Sequence, residues 1–166
     1  MRLMNTEDEK SIFGNNLQVL TNQRNWTIQQ AAREIGYDRN DFSAILSGTK
    51  NFKLQTAVKF AQFFNVSVFL LFTRLFKDGE YRACFPFVEK DDYMVIVRKN
   101  FQSLSTRQSD VAMDPSTVSQ IMNGRRNNLT INTLHTIAAS ASVPLCELLK
   151  TEQDKKTEEK LKEDAK

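Results

Sequence analysis

The chain has 166 residues, of which 40% are hydrophobic and 26% charged, and its formal net charge is +3. This length allows one large hydrophobic core or two small ones of roughly 60 to 65 residues each. No apolar run reaches the roughly 18 residues that a membrane span needs. The two cysteines, Cys84 and Cys146, lack the paired spacing of a disulfide framework or zinc knuckle. Residues 1–10 are polar and acidic, unlike a signal peptide, so we expect a soluble cytoplasmic protein with no membrane partner.

The first helix is predicted from apolar residues at helical spacing, namely Phe13, Leu17 and Leu20. A capping box follows, because the Thr27 hydroxyl can accept from the third helical amide while Gln30 reaches back to the amide of the cap. A second helix is therefore predicted over about 28–35, and Gly36 ends it.

The third helix is predicted to begin after Asp38, whose carboxylate caps free amides at a positive helix end. Phe42 and Ile45 face inward, and Gly48 ends this helix. Apolar residues at helical spacing over 54–64 and 68–76 predict two more helices. Five short helices result.

This pattern is repeated further along the chain. The segment Ser119-Gln-Ile-Met-Asn-Gly124 matches Ser43-Ala-Ile-Leu-Ser-Gly48 at an offset of 76 residues, and similar pairs continue at 77. In the second copy, Asp114-Pro115 is a strong helix start, since Asp is a good cap and Pro is tolerated at the first helical position. Such a period is too long for a solenoid repeat. We therefore predict an all-α fold with two tandem five-helix domains.

The expected organisation has five parts. Residues 1–10 are a flexible N-terminus, 11–76 and 91–150 the two domains, 77–90 a linker, and 151–166 a charged tail, interpreted as a frayed helix or disordered. The linker is aromatic and apolar, so we expect it to pack. Positive charge is concentrated in the repeats: residues 12–76 hold seven basic and three acidic residues, and residues 90–150 hold seven and five. A phosphate-binding surface requires such an excess, although ordinary solvated faces also show it.

Two segments carry a family resemblance. They are Thr27-Ile-Gln-Gln-Ala-Ala-Arg-Glu-Ile-Gly-Tyr-Asp-Arg-Asn-Asp-Phe-Ser-Ala-Ile-Leu-Ser-Gly48 and Met113-Asp-Pro-Ser-Thr-Val-Ser-Gln-Ile-Met-Asn-Gly-Arg-Arg126. Both resemble the lambda-repressor-like (Cro-type) helix-turn-helix DNA-binding family. The resemblance implies that the third helix of each domain enters the major groove of double-stranded DNA and that the following loop contacts phosphates.

Carried over by position, the resemblance assigns base contacts in the first repeat to Arg39, Asn40, Ser43 and Ala44, and phosphate contacts to Gln29, Lys50, Asn51 and Lys53. The chemistry fits, because Arg can bridge guanine acceptors, Asn can pair with adenine and Ala can touch a thymine methyl. Asp41 is less favourable near phosphate. In the second repeat the base-facing positions are Pro115, Ser116, Ser119 and Gln120, with Thr117 beside them, and the phosphate-facing positions are Asn123, Arg125, Arg126 and Asn127.

The chain departs from the family pattern at several positions. Ile28 stands where the family usually has Gln after the second-helix cap. In the second repeat, Arg107 and Gln108 occupy positions that should bury small apolar residues, and Ala112 stands where the turn usually has Gly. Either Ser105-Thr-Arg-Gln108 is a capping box and the second helix is shortened, or this copy is degenerate.

The remaining candidates for chemistry have simpler interpretations. Twelve Phe residues in so short a chain favour core packing over a ligand groove, with a repeat or dimer interface as the second interpretation. His135 is the only histidine and is expected to be structural. No catalytic constellation or Gly-rich phosphate loop is recognisable, so we expect neither an enzyme nor a cofactor.

We therefore expect a sequence-specific DNA-binding protein, a transcriptional regulator of the repressor type, whose two domains form a dimer-like pair within one chain. The 14 residues of 77–90 could extend over about 46 to 50 Å, enough to reach half-sites about 34 Å apart. The two recognition helices differ, so the DNA site should be asymmetric. Two alternatives remain: a protein-interaction module that sequesters another regulator, or DNA binding by the first domain only, with the second used for dimerisation or sensing. A homodimer through Phe-rich or linker surfaces would be a further partner.

Overall fold

The computed structural model describes residues 6–88, 92–104 and 106–165, and the fold is all-α. We define residues 6–77 as the N-terminal half and residues 92–150 as the C-terminal half. The helices of the N-terminal half are α1 (Thr6–Gln23), α2 (Ile28–Ile35), α3 (Arg39–Leu46), α4 (Leu54–Phe64) and α5 (Val68–Leu71), followed by a 3-10 turn at Arg74–Lys77. The last predicted helix of this half is thus split into α5 and the 3-10 turn.

Local capping explains the helix boundaries that the sequence predicted. Thr27 and Gln30 form the expected capping box, with the Gln30 amide 3.1 Å from Thr27 Oγ1 and the Thr27 amide 2.8 Å from Gln30 Oε1. Gly36 ends α2 with a φ of +77°, a left-handed conformation that glycine adopts without steric cost. The Asp38 carboxylate accepts the Asp41 amide at 3.0 Å and starts α3.

Between the halves, residues 78–88 form α6 (Gly79–Ala83) and then pack back onto the N-terminal half. Phe85 is buried, with its ring centroid 5.4 Å from that of Phe69 and 4.9 Å from that of Tyr81. The Ser67 amide donates to the Phe85 carbonyl at 2.8 Å. The prediction that this segment packs is confirmed for residues 78–88.

The C-terminal half contains α7 (Tyr93–Ser103), a 3-10 turn at Gln108–Asp110, α8 (Pro115–Met122), α9 (Ile131–Ser140) and α10 (Cys146–Leu149). Where the sequence predicted a second helix in this half, the structure has the single 3-10 turn. The predicted cap Ser105 lies outside the described residues. The Asp110 carboxylate instead accepts the Arg107 amide at 3.1 Å. Gln108, Ser109 and Asp110 are all exposed, so no apolar face is available to stabilise a longer helix.

Two buried asparagines hold the last helical turns of the two halves in the same way. Asn16 Nδ2 donates to the carbonyls of Leu71 and Thr73 at 2.7 and 3.0 Å. Asn100 Nδ2 donates to the carbonyls of Leu148 and Lys150 at 2.8 and 2.9 Å. In each half, an amide on the first helix thus satisfies carbonyls at a helix end that would otherwise lack partners.

Phenylalanines are the largest side chains in the core of the N-terminal half. The Phe13 ring lies 4.7 Å from Phe52, 4.8 Å from Phe72 and 6.2 Å from Phe60 between centroids. The predicted core packing is confirmed for five members of the stripe over 60–76, which are buried: Phe60, Phe64, Phe69, Phe72 and Phe76. The sixth, Phe63, is 36% exposed. Little of the stripe is therefore accessible for a homodimer contact.

The tail forms a docked helix rather than a disordered segment. α11 (Glu152–Asp164) starts with a capping box between Thr151 and Asp154, both of whose bonds are 3.0 Å. Asp154 is buried and also accepts the Ser67 hydroxyl at 2.8 Å. Lys155 Nζ donates to Asn100 Oδ1 at 2.8 Å. These contacts come from residues far away in sequence, so the composition of the tail could not reveal them.

The expected flexible N-terminus is likewise part of the fold from residue 6 onward, where α1 begins; residues 1–5 lie outside the described part. Glu9 is 2% exposed. Its Oε2 lies 2.8 Å from His135 Nδ1, and its Oε1 accepts the Leu145 amide at 2.9 Å. This buried carboxylate connects α1 to two elements of the C-terminal half.

The halves also meet through a short antiparallel backbone contact between Lys53 and Thr130. The Leu54 amide donates to the Leu129 carbonyl at 2.7 Å, and the Ile131 amide donates to the Phe52 carbonyl at 2.9 Å. Each half therefore gives one donor and one acceptor. We call residues 52–54 and 129–131, taken together, the central bridge.

A close approach of α1 to α3 sets the position of α3. A Cβ atom at Gly14 would lie 2.5 Å from the backbone oxygens of both Ile45 and Leu46. Gly48 also contacts α1, since a Cβ there would lie 2.7 Å from Ser11 Oγ. Because the atoms facing Gly14 belong to the backbone, no side chain can move aside to make room.

We expect Gly14→Ala to lower the free energy of unfolding by about 1–3 kcal/mol, because the added methyl group overpacks the contact between α1 and α3. This cost exceeds the roughly 1 kcal/mol by which Ala is more favourable than Gly inside a helix. Urea unfolding followed by circular dichroism measures this. Gly79→Ala is the matched control, because its nearest neighbour is the flexible end of Arg82 at 3.3 Å. A Gly14→Ala protein as stable as wild type would contradict the close approach.

Candidate nucleic-acid interface

Helices α2 and α3 form a two-helix unit with a tight turn at residues 36–38. The turn is fixed by the amides of Gly36 and Tyr37, which both donate to the Ala32 carbonyl at 2.9 Å. The inner faces of the two helices are buried, through Ala31, Ala32 and Ile35 on α2 and Phe42 and Ile45 on α3. This packing leaves the opposite edge of α3 free to contact a ligand.

The structure brings the predicted base-contacting residues of α3 onto one outward edge. Arg39, Asn40 and Ser43 are exposed, and Ala44 is half-buried. Their spacing places them on adjacent turns of the same helical face. Gln29 is also exposed, one residue into α2. This edge is polar and presents a guanidinium and an amide, two groups that read base edges in the major groove.

In the loop after α3, the positive charge of Lys50 is balanced by the negative charge of Asp41. Lys50 Nζ lies 3.0 Å from Asp41 Oδ1. The hydrogen bond to this carboxylate raises the pKa of Lys50 above its usual value. The pair neutralises the acidic side chain beside the base-contacting edge, and it also holds Lys50 away from an independent phosphate contact. Lys53 is exposed, so its ammonium remains accessible.

Asn51, predicted as a phosphate contact, has its side-chain oxygen in a contact between the halves. Its Oδ1 accepts the amide of Asn132 in the first turn of α9 at 3.0 Å. In the opposite direction, Asn128 Oδ1 accepts the amide of Gln55 in the first turn of α4 at 3.1 Å. Each half thus caps a helix of the other. The role of Asn128 could not be predicted from the sequence, because a cap supplied by a distant segment has no local sequence signal.

The second predicted surface centres on α8. The Asp114 carboxylate accepts the Thr117 amide at 3.3 Å, and Pro115 occupies the first helical position, as expected. Pro115, Ser116 and Ser119 are exposed. Thr117 and Gln120 are half-buried. The structure therefore places these five residues on α8, with small and neutral side chains at its outward edge.

The loop after α8 is held by its own asparagines. Asn123 Oδ1 accepts the Arg125 amide at 3.1 Å, and Asn127 Nδ2 donates to the Gly124 carbonyl at 3.1 Å. Gly124 has a φ of +86°, in the left-handed region. Arg125 and Arg126 are exposed, and neither forms an ion pair with any described residue. Their full charges are available to an anion.

The remaining candidates for chemistry have structural roles. His135 pairs with the buried Glu9, in agreement with the structural role expected for it. Burial raises the pKa of the Cys146 thiol to about 12, which keeps that thiol protonated at neutral pH. Within the described residues, no cluster of His, Cys, Asp and Glu could hold a metal ion, and no helix has the length and apolar character to span a bilayer.

Comparison with known proteins agrees with the geometry of the first surface. A family model described as helix-turn-helix matches residues 18–71. The match runs from within α1 to the end of α5 and includes the α2–turn–α3 unit. It indicates sequence-specific binding to double-stranded DNA, and with it a role in transcription regulation. No curated protein and no solved structure matches the chain.

We expect Asn51→Ala and Asn128→Ala each to lower the free energy of unfolding by about 0.5–2 kcal/mol, since each removes the acceptor for an amide in the first turn of a helix. Urea unfolding would measure both. Asn132→Ala is the control, because its exposed side chain makes no hydrogen bond to the described residues. If all three variants had the same stability, the reciprocal caps would be energetically irrelevant.

Proposed function

We propose that this protein is a transcriptional regulator of the repressor type that binds DNA through α3 and α8, with the two halves acting as an intrachain pseudo-dimer. The central bridge is the observation that carries this proposal. It joins the segments that immediately follow the loops after α3 and α8. A contact in which the two sides exchange equivalent bonds is the arrangement of a two-fold symmetric dimer.

Repeated contacts support two domains of the same type. Asn16 and Asn100 make the same pair of bonds to helix ends. Gly48 and Gly124, both in the left-handed conformation, follow α3 and α8 at equivalent places. The reciprocal caps from Asn51 and Asn128 add a further matched pair. On this basis we propose domains over about 11–76 and 91–150, the second with a shortened second helix.

Within this proposal, the outward edge of α3 reads sequence. Arg39 would donate to guanine, Asn40 would pair with adenine, and Ala44 would touch a thymine methyl, with Ser43 as a further polar contact. Gln29 and Lys53, both exposed, would contact phosphates and fix the register. Lys50 would reach a phosphate only by releasing Asp41.

The second surface would contribute affinity more than specificity. The α8 edge offers the side chains of Ser116, Ser119 and Gln120, which bond to several bases with less discrimination than a bidentate Arg. Arg125 and Arg126 supply two uncompensated positive charges beside it. Because α3 and α8 present different side chains, the proposed DNA site has two dissimilar half-sites held at a fixed separation.

The test starts with selection of bound fragments from random DNA, followed by titrations of the selected duplex over a range of salt concentrations. Arg39→Ala should weaken binding by about 1–3 kcal/mol and relax the preference at one base pair. Arg125→Ala with Arg126→Ala should weaken binding to all sequences and reduce the salt slope by about 0.9 for each lost phosphate contact. Lys160→Ala is the charge-matched control for Arg39→Ala, and Lys160→Ala with Lys162→Ala is the control for the double change; both lysines are exposed on α11.

Two results would redirect the proposal. An affinity that does not change with salt concentration would show that phosphates are not contacted and would favour a protein-interaction module. If the double change at Arg125 and Arg126 left the affinity as in wild type, DNA contact would be confined to the N-terminal half, with the C-terminal half serving dimerisation or sensing.

A further inference from the structure

Arg98, on α7, reaches from the first helix of the C-terminal half to the end of α8 and the loop after it. Its Nη1 donates to the Asn127 side-chain oxygen at 3.0 Å and to the Ile121 carbonyl at 3.4 Å. Its guanidinium also lies beside Gly124, where an added Cβ would be 3.9 Å from Arg98 Cζ and Nη2. One side chain thus contacts the last turn of α8 and two positions of the loop.

In the N-terminal half, the first helix contacts α3 directly, without a side chain between the two helices. Gly14 stands two residues before Asn16, just as Arg98 stands two residues before Asn100. A Cβ at Gly14 would contact the Ile45 carbonyl, and Arg98 bonds the Ile121 carbonyl, at the matching place in α8. In the N-terminal half the helix backbones meet directly, whereas in the C-terminal half the Arg98 side chain spans the gap.

Apart from the bond to Arg98, the side-chain bonds of the loop after α8 stay within the loop, whereas those of the loop after α3 lead back to α3. Behind the loop after α8 lies a cavity of about 160 Å³, bordered by Met113, Thr117, Ile121 and residues 126–130. The loop after α3 is fixed by the Lys50–Asp41 pair and by the hydroxyls of Ser47 and Thr49, which donate to the Ala44 carbonyl at 3.0 and 3.2 Å. Arg98 therefore adds a bond from α7 to a loop whose other side-chain bonds, from Asn123 and Asn127, lie within the loop itself.

We propose that Arg98 is a positioning residue for DNA binding: it holds residues 123–127 in the conformation that presents Arg125 and Arg126 to the phosphate backbone. This inference rests on the proposed function of that loop. Asn127 is the intermediary, because it bonds Arg98 through Oδ1 and the Gly124 carbonyl through Nδ2. Asn127 would then act on phosphate through loop geometry rather than by direct contact alone.

The charge of Arg98 strengthens this arrangement. No carboxylate among the described residues pairs with it. Its positive charge therefore adds to those of Arg125 and Arg126 in attracting the backbone. The positioning role requires more than charge, since a guanidinium can serve two acceptors in fixed directions and an ammonium is a flexible point charge.

A double-mutant cycle in the full-length protein tests the proposal. The variants are Arg98→Met, Asn127→Ala and both together, and affinity for the selected duplex and urea unfolding are measured for each. We expect each single change to weaken DNA binding by about tenfold, and the double change to be no worse than the weaker single variant, because the two residues act as one unit. Lys99→Met is the control, since Lys99 is exposed and, among the described residues, its one ion pair is with Glu152 at 3.1 Å.

Arg98→Lys separates positioning from charge and keeps a folded comparison available should the Met variant lose stability. We expect it to retain the salt slope of wild type but to recover little of the lost affinity. Three outcomes would each overturn the proposal. The Arg98→Lys variant could bind DNA with wild-type affinity, the Arg98→Met variant could do so, or the effects of Arg98→Met and Asn127→Ala on affinity could be independent. In all three cases the wild-type protein still binds DNA with salt dependence; absence of that binding would instead reject the proposed function.

Discussion

The central bridge is the contact on which the arrangement of this molecule depends. It lies immediately after the loops that follow α3 and α8, so the path from each of these helices to the bridge is only a few residues long. Its backbone bonds are flanked by the caps from Asn51 and Asn128, which also cross between the halves. Sliding one half against the other would break these bonds together and would leave amides in the first turns of α4 and α9 without acceptors.

The same short segments thus carry two tasks in the proposed pseudo-dimer, which are to face DNA and to join the halves. Asn51 illustrates the consequence, because its Oδ1 accepts the Asn132 amide of α9 while its Nδ2 is the group that could donate to a phosphate. Because these segments join the halves, the distance between α3 and α8 is set by the fold and not by a flexible connection. The buried Glu9 adds a second connection between the halves, because this residue of α1 bonds both His135 and Leu145 of the C-terminal half.

The two surfaces that we propose to contact DNA are built differently. In the N-terminal half, Gly14 allows α1 to rest directly on α3, and the nearby acidic Asp41 is neutralised by Lys50. In the C-terminal half, Arg98 bridges a wider gap, and Arg125 and Arg126 keep their full charges. The first arrangement favours a rigid edge for reading bases, and the second concentrates charge for binding phosphate. This difference matches the division between specificity and affinity that we propose.

The sequence by itself determined the helices whose start signals are local. The caps at Thr27, Asp38 and Asp114 lie within three residues of the amides that they bind, so α2, α3 and α8 and their outward edges could be predicted. Only the tertiary structure decided the docking of α11, the burial of Glu9 and the exchange of caps by Asn51 and Asn128. These depend on partners 55 to 136 residues away, as in the bonds of Lys155 to Asn100 and of Leu145 to Glu9. A residue pattern read along the chain encodes neighbours three or four positions apart, whereas the distance between remote segments is set by how the whole core packs.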